Sequence, residues 1–370
     1  MKRLNIATIG CGYWGPNLIR NCVEIPHISV EAVADLDWDR LTHIQTRYPG
    51  IPLVTDDYTR LFDAGIDAVI VSTPPETHHE IVAACLEHGL HVLVEKPLAT
   101  TSIQARELID LAERRGRVLM VGHTFEYNPA VRALSDAMAS GELGRIHYID
   151  AVRVGLGLFH PTLNVIWDLA PHDISILIHI LGEAPESVTT SGLACVQDRI
   201  EDVAYITLTF PSGVLAHVRL SWLDPSKTRR ITVVGDKKMI VYDDVEAHEK
   251  LKVYDKRVDT IRRTDTFGDF QFAYHYGSIV SPYVHFEEPL RLECLHFAES
   301  ILDGTRPLTD GWNGLRVVEV IEAAQQSLAN GGVRLRVDTT LSADAPTPGA
   351  STPTTPEKVT TSALPEPGPK

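Results

Sequence analysis

The hexapeptide GCGYWG, residues 10–15, sharply restricts what the start of this chain can fold into. It follows the apolar run LNIATI, opens a segment with helical spacing, and is answered by Asp35 at the end of the next apolar run. GxGxxG alone is a weak signal, but strand, glycine turn, helix and acid in this order form the dinucleotide-binding fingerprint. Gly10 allows the tight turn, Gly12 lets the backbone approach a pyrophosphate, and Gly15 lets the helix pack on the sheet. The helix N-terminus offers amide donors and a positive dipole end to the phosphates. Tyr13 and Trp14, between the glycines, are expected beside the cofactor. Asp35 is expected to accept hydrogen bonds from the ribose hydroxyls of NAD, where it would repel the phosphate of NADP.

Strand and helix signals keep alternating to about residue 125: VEAVADL (30–36), DAVIVSTPP (67–75), HHEIVAACLEHG (78–89), HVLVEKP (91–97), TSIQARELIDLAERRG (101–116) and RVLMVGHTF (117–125). Helices between apolar strands mean βαβ units and a parallel sheet. The expectation is an α/β Rossmann domain over residues 1–125. After residue 145 the strand-like runs are joined by short turns, and a large open antiparallel sheet is expected in an α+β domain over 126–340. Helices are expected near 167–182, 287–302 and 311–329. From Leu341 the composition shifts to Pro, Thr, Ser and Ala, which cannot form a core, so 341–370 is expected to be a disordered tail.

A formal charge of −15 argues against nucleic acid or an anionic membrane surface as the main partner. The five cysteines show no CxxC spacing, so neither a disulfide framework nor a Cys-based zinc site is expected. Without a signal-peptide core or a transmembrane-length apolar run, the expectation is a soluble, cytoplasmic protein.

Two further stretches carry chemistry. HVLVEKP ends a strand with Glu95, Lys96 and Pro97, and in open α/β sheets ligands sit outside the carboxyl ends of strands. WDLAPHDISILIHILG (167–182) is an apolar helix whose front end holds Asp168, Pro171, His172 and Asp173. Positions four apart share a helix face, so Asp168 and His172 can point together into the crevice under Lys96. Pro171 is tolerable in a first turn. A metal site is not expected, because no third ligand has a convincing spacing and a nearby lysine would oppose a cation.

GCGYWG, STPPETHH (72–79), EKP (95–97) and DLAPHD (168–173), in this order, resemble the glucose–fructose oxidoreductase / inositol dehydrogenase / rhizopine catabolism family, Gfo/Idh/MocA. The resemblance covers roughly residues 3–330. It implies that Lys96, Asp168 and His172 act together beside the nicotinamide. It also implies that Thr73 and Pro74 line the nucleotide and that His78, at the start of the next helix, adjoins the cofactor together with Glu95 and Lys96. The run TLNVIWD (162–168) departs from the glycine-rich stretch of many relatives, which leaves the substrate pocket open.

A histidine suits removal of a hydroxyl proton, and a lysine ammonium can hydrogen-bond the oxygen where negative charge develops. The expected function is an NAD-dependent dehydrogenase acting on a secondary hydroxyl. GCGYWGPNLIRN and IWDLAPHDI look like the branch oxidising UDP-N-acetylglucosamine or its uronate at carbon three. A deoxysugar 3-ketoreductase, an inositol-type dehydrogenase, a glycosidase that recycles NAD and a non-catalytic NAD-binding regulator remain alternatives. The resemblance also implies a homodimer or homotetramer. His78 and His79 are expected to be structural. Glu126 and Asn128 are candidates for cofactor or substrate contact. The basic spots at 227–230, 236–238 and 261–263 are candidates for a substrate diphosphate.

Overall fold

The structure is a computed structural model and describes residues 3–260, 272–343 and 345–346. In the first domain the strands are β1 (Leu4–Ile9), β2 (Ile28–Ala34), β3 (Leu53–Thr55), β4 (Ala68–Val71), β5 (His91–Glu95) and β6 (Leu119–Gly122). They alternate with helices α1 (Gly15–Glu24), α2 (Trp38–Arg47), α3 (His78–Glu87) and α4 (Ser102–Arg115). The sheet is wholly parallel, in the order β3-β2-β1-β4-β5-β6. The chain reverses direction of travel across the sheet between β1 and β4, and the crevice beyond the carboxyl ends of those strands is where this topology binds ligands.

The second domain holds α5 (Pro129–Ala139), β7 (Ile146–Val154), α6 (Val165–Leu181), β8 (Ser187–Leu193), β9 (Val203–Thr209), β10 (Leu215–Ser221) and β11 (Thr228–Gly235). It continues with β12 (Met239–Asp243), β13 (Leu251–Thr260), β14 (Phe272–Val280), α7 (Pro289–Asp303), α8 (Gly311–Ala329) and β15 (Leu335–Arg336). Nine strands form one sheet in the order β14-β13-β12-β11-β7-β10-β9-β8-β15. The expectation of an antiparallel sheet needs correction, because β7 and β10 pair in parallel at its centre. The long connection between them, through α6 and the β8–β9 hairpin, makes that pairing possible. One face is buried: Ile149 and Ala151 of β7, Val218 of β10 and Ile231 and Val233 of β11 share a core with α5, α6 and α8. The other face exposes Tyr148, Tyr205, Tyr274 and Tyr276.

Two expected boundaries move. Helix α7 returns to the first domain, where Leu290, Cys294 and Phe297 share a core with Leu4, Ile6 and Leu18, so a cut at residue 125 does not separate two chain-contiguous units. The expected tail begins too early: Leu341 and Ala345 pack on the first domain's core, and Arg106 donates to the main-chain oxygen of Leu341 at 2.7 Å. Residues 344 and 347–370, the rest of the expected disordered segment, lie outside the described residues, as does the basic spot 261–263. Among the described residues no helix is long and apolar enough to cross a membrane.

Candidate active site

The glycine loop is built as its sequence requires. Gly10 has φ +97, and a Cβ there would lie 2.7 Å from the Ser72 backbone; one on Gly15 would lie 2.2 Å from the Gly10 oxygen. Both positions therefore admit only glycine. A Cβ on Gly12 would meet nothing but the end of Arg40 at 3.6 Å, so this side of the loop is open. Trp14 precedes α1 without a side-chain cap; Pro16 carries no N–H and the Asn17 N–H donates to the Trp14 oxygen at 2.9 Å, so the Gly15 amide is the helical donor left to meet a phosphate. Tyr13 and Trp14 stand edge to face at 5.4 Å, both exposed beside this opening. These residues fit a bound dinucleotide.

Asp35 follows β2, with its carboxylate turned back to the loop. It accepts hydrogen bonds from the backbone N–H of Cys11 at 2.5 Å and of Asp37 at 2.9 Å. Arg40, in the first turn of α2, lies beside it: its guanidinium bridges Asp35 at 3.7 Å and Asp37 at 3.3 Å.

The turn after β4 lies against this loop, because the Ser72 hydroxyl donates to the Gly10 oxygen at 2.8 Å. Thr73 and Pro74 continue it, with the Thr73 hydroxyl held by Thr77 at 2.8 Å. His78 is fully buried, so it does not touch a cofactor directly. Its ring spans the Pro97 oxygen at 2.8 Å and the Thr73 oxygen at 2.9 Å, which ties the nucleotide turn to the EKP turn. Burial pushes its pKa down. His79 is peripheral and pairs with Glu107 at 2.9 Å.

The EKP turn carries a cis Lys96–Pro97 bond. Lys96 Nζ donates to the main-chain oxygen of Asp168 at 2.9 Å and to its Oδ1 at 3.3 Å. Glu95 turns back under the strand end, where burial raises its carboxyl to about 7 against the pull of Lys96.

Helix α6 begins earlier than expected. Asn164 caps it by accepting from the Trp167 N–H at 3.3 Å, and Gly182 ends it with φ +68. Pro171 is therefore inside the helix and not in its first turn, which corrects the expectation. An internal proline removes one helical hydrogen bond and crowds the carbonyl four residues back. The polar front of the helix sits at this disturbed turn, and it is there that the Asp168 carbonyl meets Lys96.

His172, one turn beyond Asp168, lies edge-on to Phe125 at 5.1 Å, and its buried Nδ1 has no partner among the described residues. Its pKa is well below the usual value, first by burial and then by the charges of Lys96, Arg153, Arg229 and His123. The imidazole is thus a neutral group able to take a proton. His123, also buried, is held down to about 3 by burial and Lys96.

Three nearby residues, Trp222, His160 and Arg153, were absent from the sequence expectations, and a fourth, Arg229, lies in the basic spot at 227–230 that was a candidate for a substrate diphosphate. Trp222, buried after β10, donates its indole N–H to Asp168 Oδ2 at 3.0 Å. His160 lies 3.9 Å from the same oxygen, half-exposed on the loop before α6. Arg153 is buried, bonded twice to Asp173 at 2.7 and 3.2 Å, and its guanidinium lies 4.4 Å from the Phe125 ring. Arg229 flanks it on β11. Arg153 carried a readable signal: it occupies the buried phase of β7, with Ile149 and Ala151.

Three expectations fail. Glu126 is fully buried and bonded to Asn313 at 3.1 Å, with His179 3.5 Å away, so it braces the domain contact rather than meeting a ligand. Asn128 caps α5 and donates to Tyr242 at 3.1 Å. The 236–238 spot follows the far end of β11 from Arg229, and its Lys238 pairs with Glu142 at 3.0 Å. Among the described residues, no group of three or more His, Cys, Asp and Glu could hold a metal ion.

Residues 4–123 match the model for an oxidoreductase family with an NAD-binding Rossmann fold, and residues 131–241 match the GFO/IDH/MocA C-terminal domain. Among curated proteins, the myo-inositol 2-dehydrogenase of Thermotoga maritima is 26% identical over 348 residues, covering 88% of this chain and 96% of that one. The UDP-N-acetylglucosamine 3-dehydrogenase of Acidithiobacillus ferrooxidans is 32% identical over 173 residues, covering 46% of this chain and 53% of that one. The aldose-aldose oxidoreductase of Caulobacter crescentus, solved with glycerol, shares the fold with a TM-score of 0.77 at 20% identity, over 90% of this chain and 100% of that one.

Proposed function

We propose, from the premise that this chain belongs to the Gfo/Idh/MocA oxidoreductase family, that it is an NAD-dependent dehydrogenase oxidising a nucleotide-linked amino sugar at the carbon-three hydroxyl. The observation that carries the chemistry is the meeting of Lys96 and Asp168 one helical turn from a neutral, half-buried His172. NAD, when bound, accepts the hydride. Lys96 hydrogen-bonds the substrate oxygen as it gains negative charge. His172 takes the hydroxyl proton. Asp168, held at both carboxylate oxygens, fixes Lys96 in place.

The nucleotide-sugar reading is supported by the resemblance of GCGYWGPNLIRN and IWDLAPHDI to that branch and by the match to the A. ferrooxidans enzyme. A second reading, a cyclitol substrate, is favoured by the nearly full-length match to the myo-inositol dehydrogenase. Contact between Lys96 and Asp168 weighs against a purely regulatory protein, which has no use for a proton-handling group at the end of β5. The exposed tyrosines of the second sheet suit a homodimer or homotetramer formed through that face.

The test is NADH formation across nucleotide sugars, free sugars and inositols, followed by identification of the carbon that became a ketone. Oxidation of an inositol alone would transfer the assignment to the second reading. No NADH from any of them would sink both.

A further inference from the structure

The strand ends of β7 and β11 beside His172 carry more positive charge than their carboxylates neutralise. Arg153 and Arg229 are direct partners across β7 and β11. Arg153 is matched by Asp173. Arg229 is not matched in the same way. Among the described residues its ionic contact is a 3.5 Å approach to Asp244, and its side chain donates no hydrogen bond. Asp244 already accepts from the Tyr242 hydroxyl at 3.0 Å and the Asn128 amide at 3.4 Å. Lys250 stands 3.9 Å from the same carboxylate and donates to the Asp244 main-chain oxygen at 2.7 Å. Two cations therefore face one carboxylate that two neutral donors also occupy.

Arg229 is not an ordinary solvated strand end. It shares the phase of Ile231 and Val233, the phase that β11 turns to the core, whereas Arg230 lies on the other. Its side chain is still 37% exposed, so a planar fork of N–H donors is presented at the edge of the cleft.

We propose that Arg229, with Lys250 beside it, is the subsite for an anionic substituent of the substrate, either a carboxylate or a phosphoryl group. The proposal rests on the dehydrogenase reading and narrows its substrate to an acidic sugar. Arg229 would hold the anion through paired N–H bonds. The anion would also offset one of the positive charges pressing on His172 and so return proton affinity to the base when the right substrate arrives. Asp168, Asp173 and Asp244 do not do this, because each is already engaged by Lys96, Arg153 or the Arg229–Lys250 pair. A neutral sugar would be bound without that correction.

The experiment pairs substrates by charge: glucose against glucuronate and glucose 6-phosphate, and UDP-N-acetylglucosamine against its uronate. Binding of each to the NADH-loaded enzyme is followed by NADH fluorescence, and turnover by NADH formation. At least one acidic sugar should bind at least about tenfold more tightly than the counterpart that lacks its added acidic group, about 1.4 kcal/mol. Arg229→Met should abolish that advantage and Arg229→Lys restore part of it; Lys250→Met serves if Arg229→Met does not fold. The carboxylate and phosphate arms identify the group. The acidic limb of the kcat profile should lie at higher pH with the acidic sugar than with the neutral one, which a merely structural arginine would not produce. Equal binding within every pair, or an advantage surviving in Arg229→Met, overturns the proposal. Failure of the dehydrogenase reading looks different: no sugar of either charge reduces NAD, while the binding arm still reports whether Arg229 prefers acids.

Discussion

The Trp222 indole donates to Asp168 Oδ2 at 3.0 Å, so the carboxylate that meets Lys96 through one oxygen is anchored to the second domain's sheet through the other. A bond to a charged acceptor is worth roughly 1.5–3 kcal/mol, less where the carboxylate is partly exposed, as here. Trp222→Phe keeps the ring and removes the donor. Its kcat should fall about tenfold while the Kd for NAD stays unchanged. An unchanged kcat, or a loss confined to KM, would show that Asp168 does not need this anchor.

Lys96→Met and His172→Ala should each lower kcat by roughly 10²–10⁴-fold, the usual range for a lost proton-transfer or charge-stabilising group. His172→Ala should leave NAD affinity nearly intact. Near-normal turnover in that variant would remove His172 from the chemistry.

Most of the first domain was legible because its elements are local patterns: the glycine loop, the apolar runs of β1, β2, β4, β5 and β6, and helices α3 and α4 fell close to where they were read, whereas α2 and the three-residue β3 carry too weak an apolar pattern and were not delimited. The site was legible only where its residues lie in motifs. Lys96, Asp168 and His172 lie in two such strings. Trp222, His160 and Arg153 come from separate segments that meet only once the sheet has formed, and Arg229 was visible only as part of a basic spot, without its place beside Arg153. The β7–β10 parallel pairing was missed for the same reason, since register between distant strands leaves no local trace. The position of Pro171 was misjudged because Asn164, not Trp167 or Asp168, caps α6.

The pH dependence has a definite sign. His172 must be neutral to act as the base, and burial with Lys96, Arg153, Arg229 and His123 holds its pKa well below the usual 6.5. The carboxylates on the surrounding elements, Asp168, Asp173 and Asp244, are each engaged by other cations. Lowering the pH through 6.5 should therefore not titrate the base in the free enzyme. The acidic limb of kcat/KM should lie below pH 6.5, and an acidic limb at or above that value would contradict the environment described for the imidazole.

Truncation should separate two parts of the C-terminal segment. Removing residues 347–370 should leave melting temperature and turnover unchanged. Removing 341–370 also deletes Leu341, which packs on the first core, and Ser342, whose hydroxyl donates to Glu319 at 2.6 Å. It also takes away the main-chain acceptors of Arg106 and Arg316. A loss of about 1–3 kcal/mol is expected for the longer deletion, from one apolar side chain and several part-buried bonds. Equal melting temperatures for the two truncations would show that the 341–346 segment contributes nothing.

The wild type should prefer NAD over NADP by at least about tenfold in kcat/KM, about 1.4 kcal/mol. The Asp35 carboxylate is only 8% exposed, and the Cys11 and Asp37 amides hold it at the end of β2, where the fingerprint puts the adenosine ribose. A ribose phosphate there would meet a fixed negative charge. The balance is closer than Asp35 alone suggests, because Arg40 hangs over the glycine loop and is restrained by Asp35 and Asp37. Asp35→Ser removes the repulsion and one of those restraints together, and frees Arg40 to meet a phosphate. The variant should therefore lose activity with NAD and gain it with NADP, and adding Arg40→Gln should cancel the gain while leaving the loss. Losing the acceptor for the Cys11 amide also loosens the loop, so part of the fall with NAD should be recovered in Asp35→Asn, which keeps an oxygen for that amide but not the charge. The measurement is kcat/KM with both cofactors for the wild type, the three single or double variants, and the same sugar throughout. A wild type that prefers NADP, or an Asp35→Ser variant that keeps the full NAD preference, would show that Asp35 does not face the ribose.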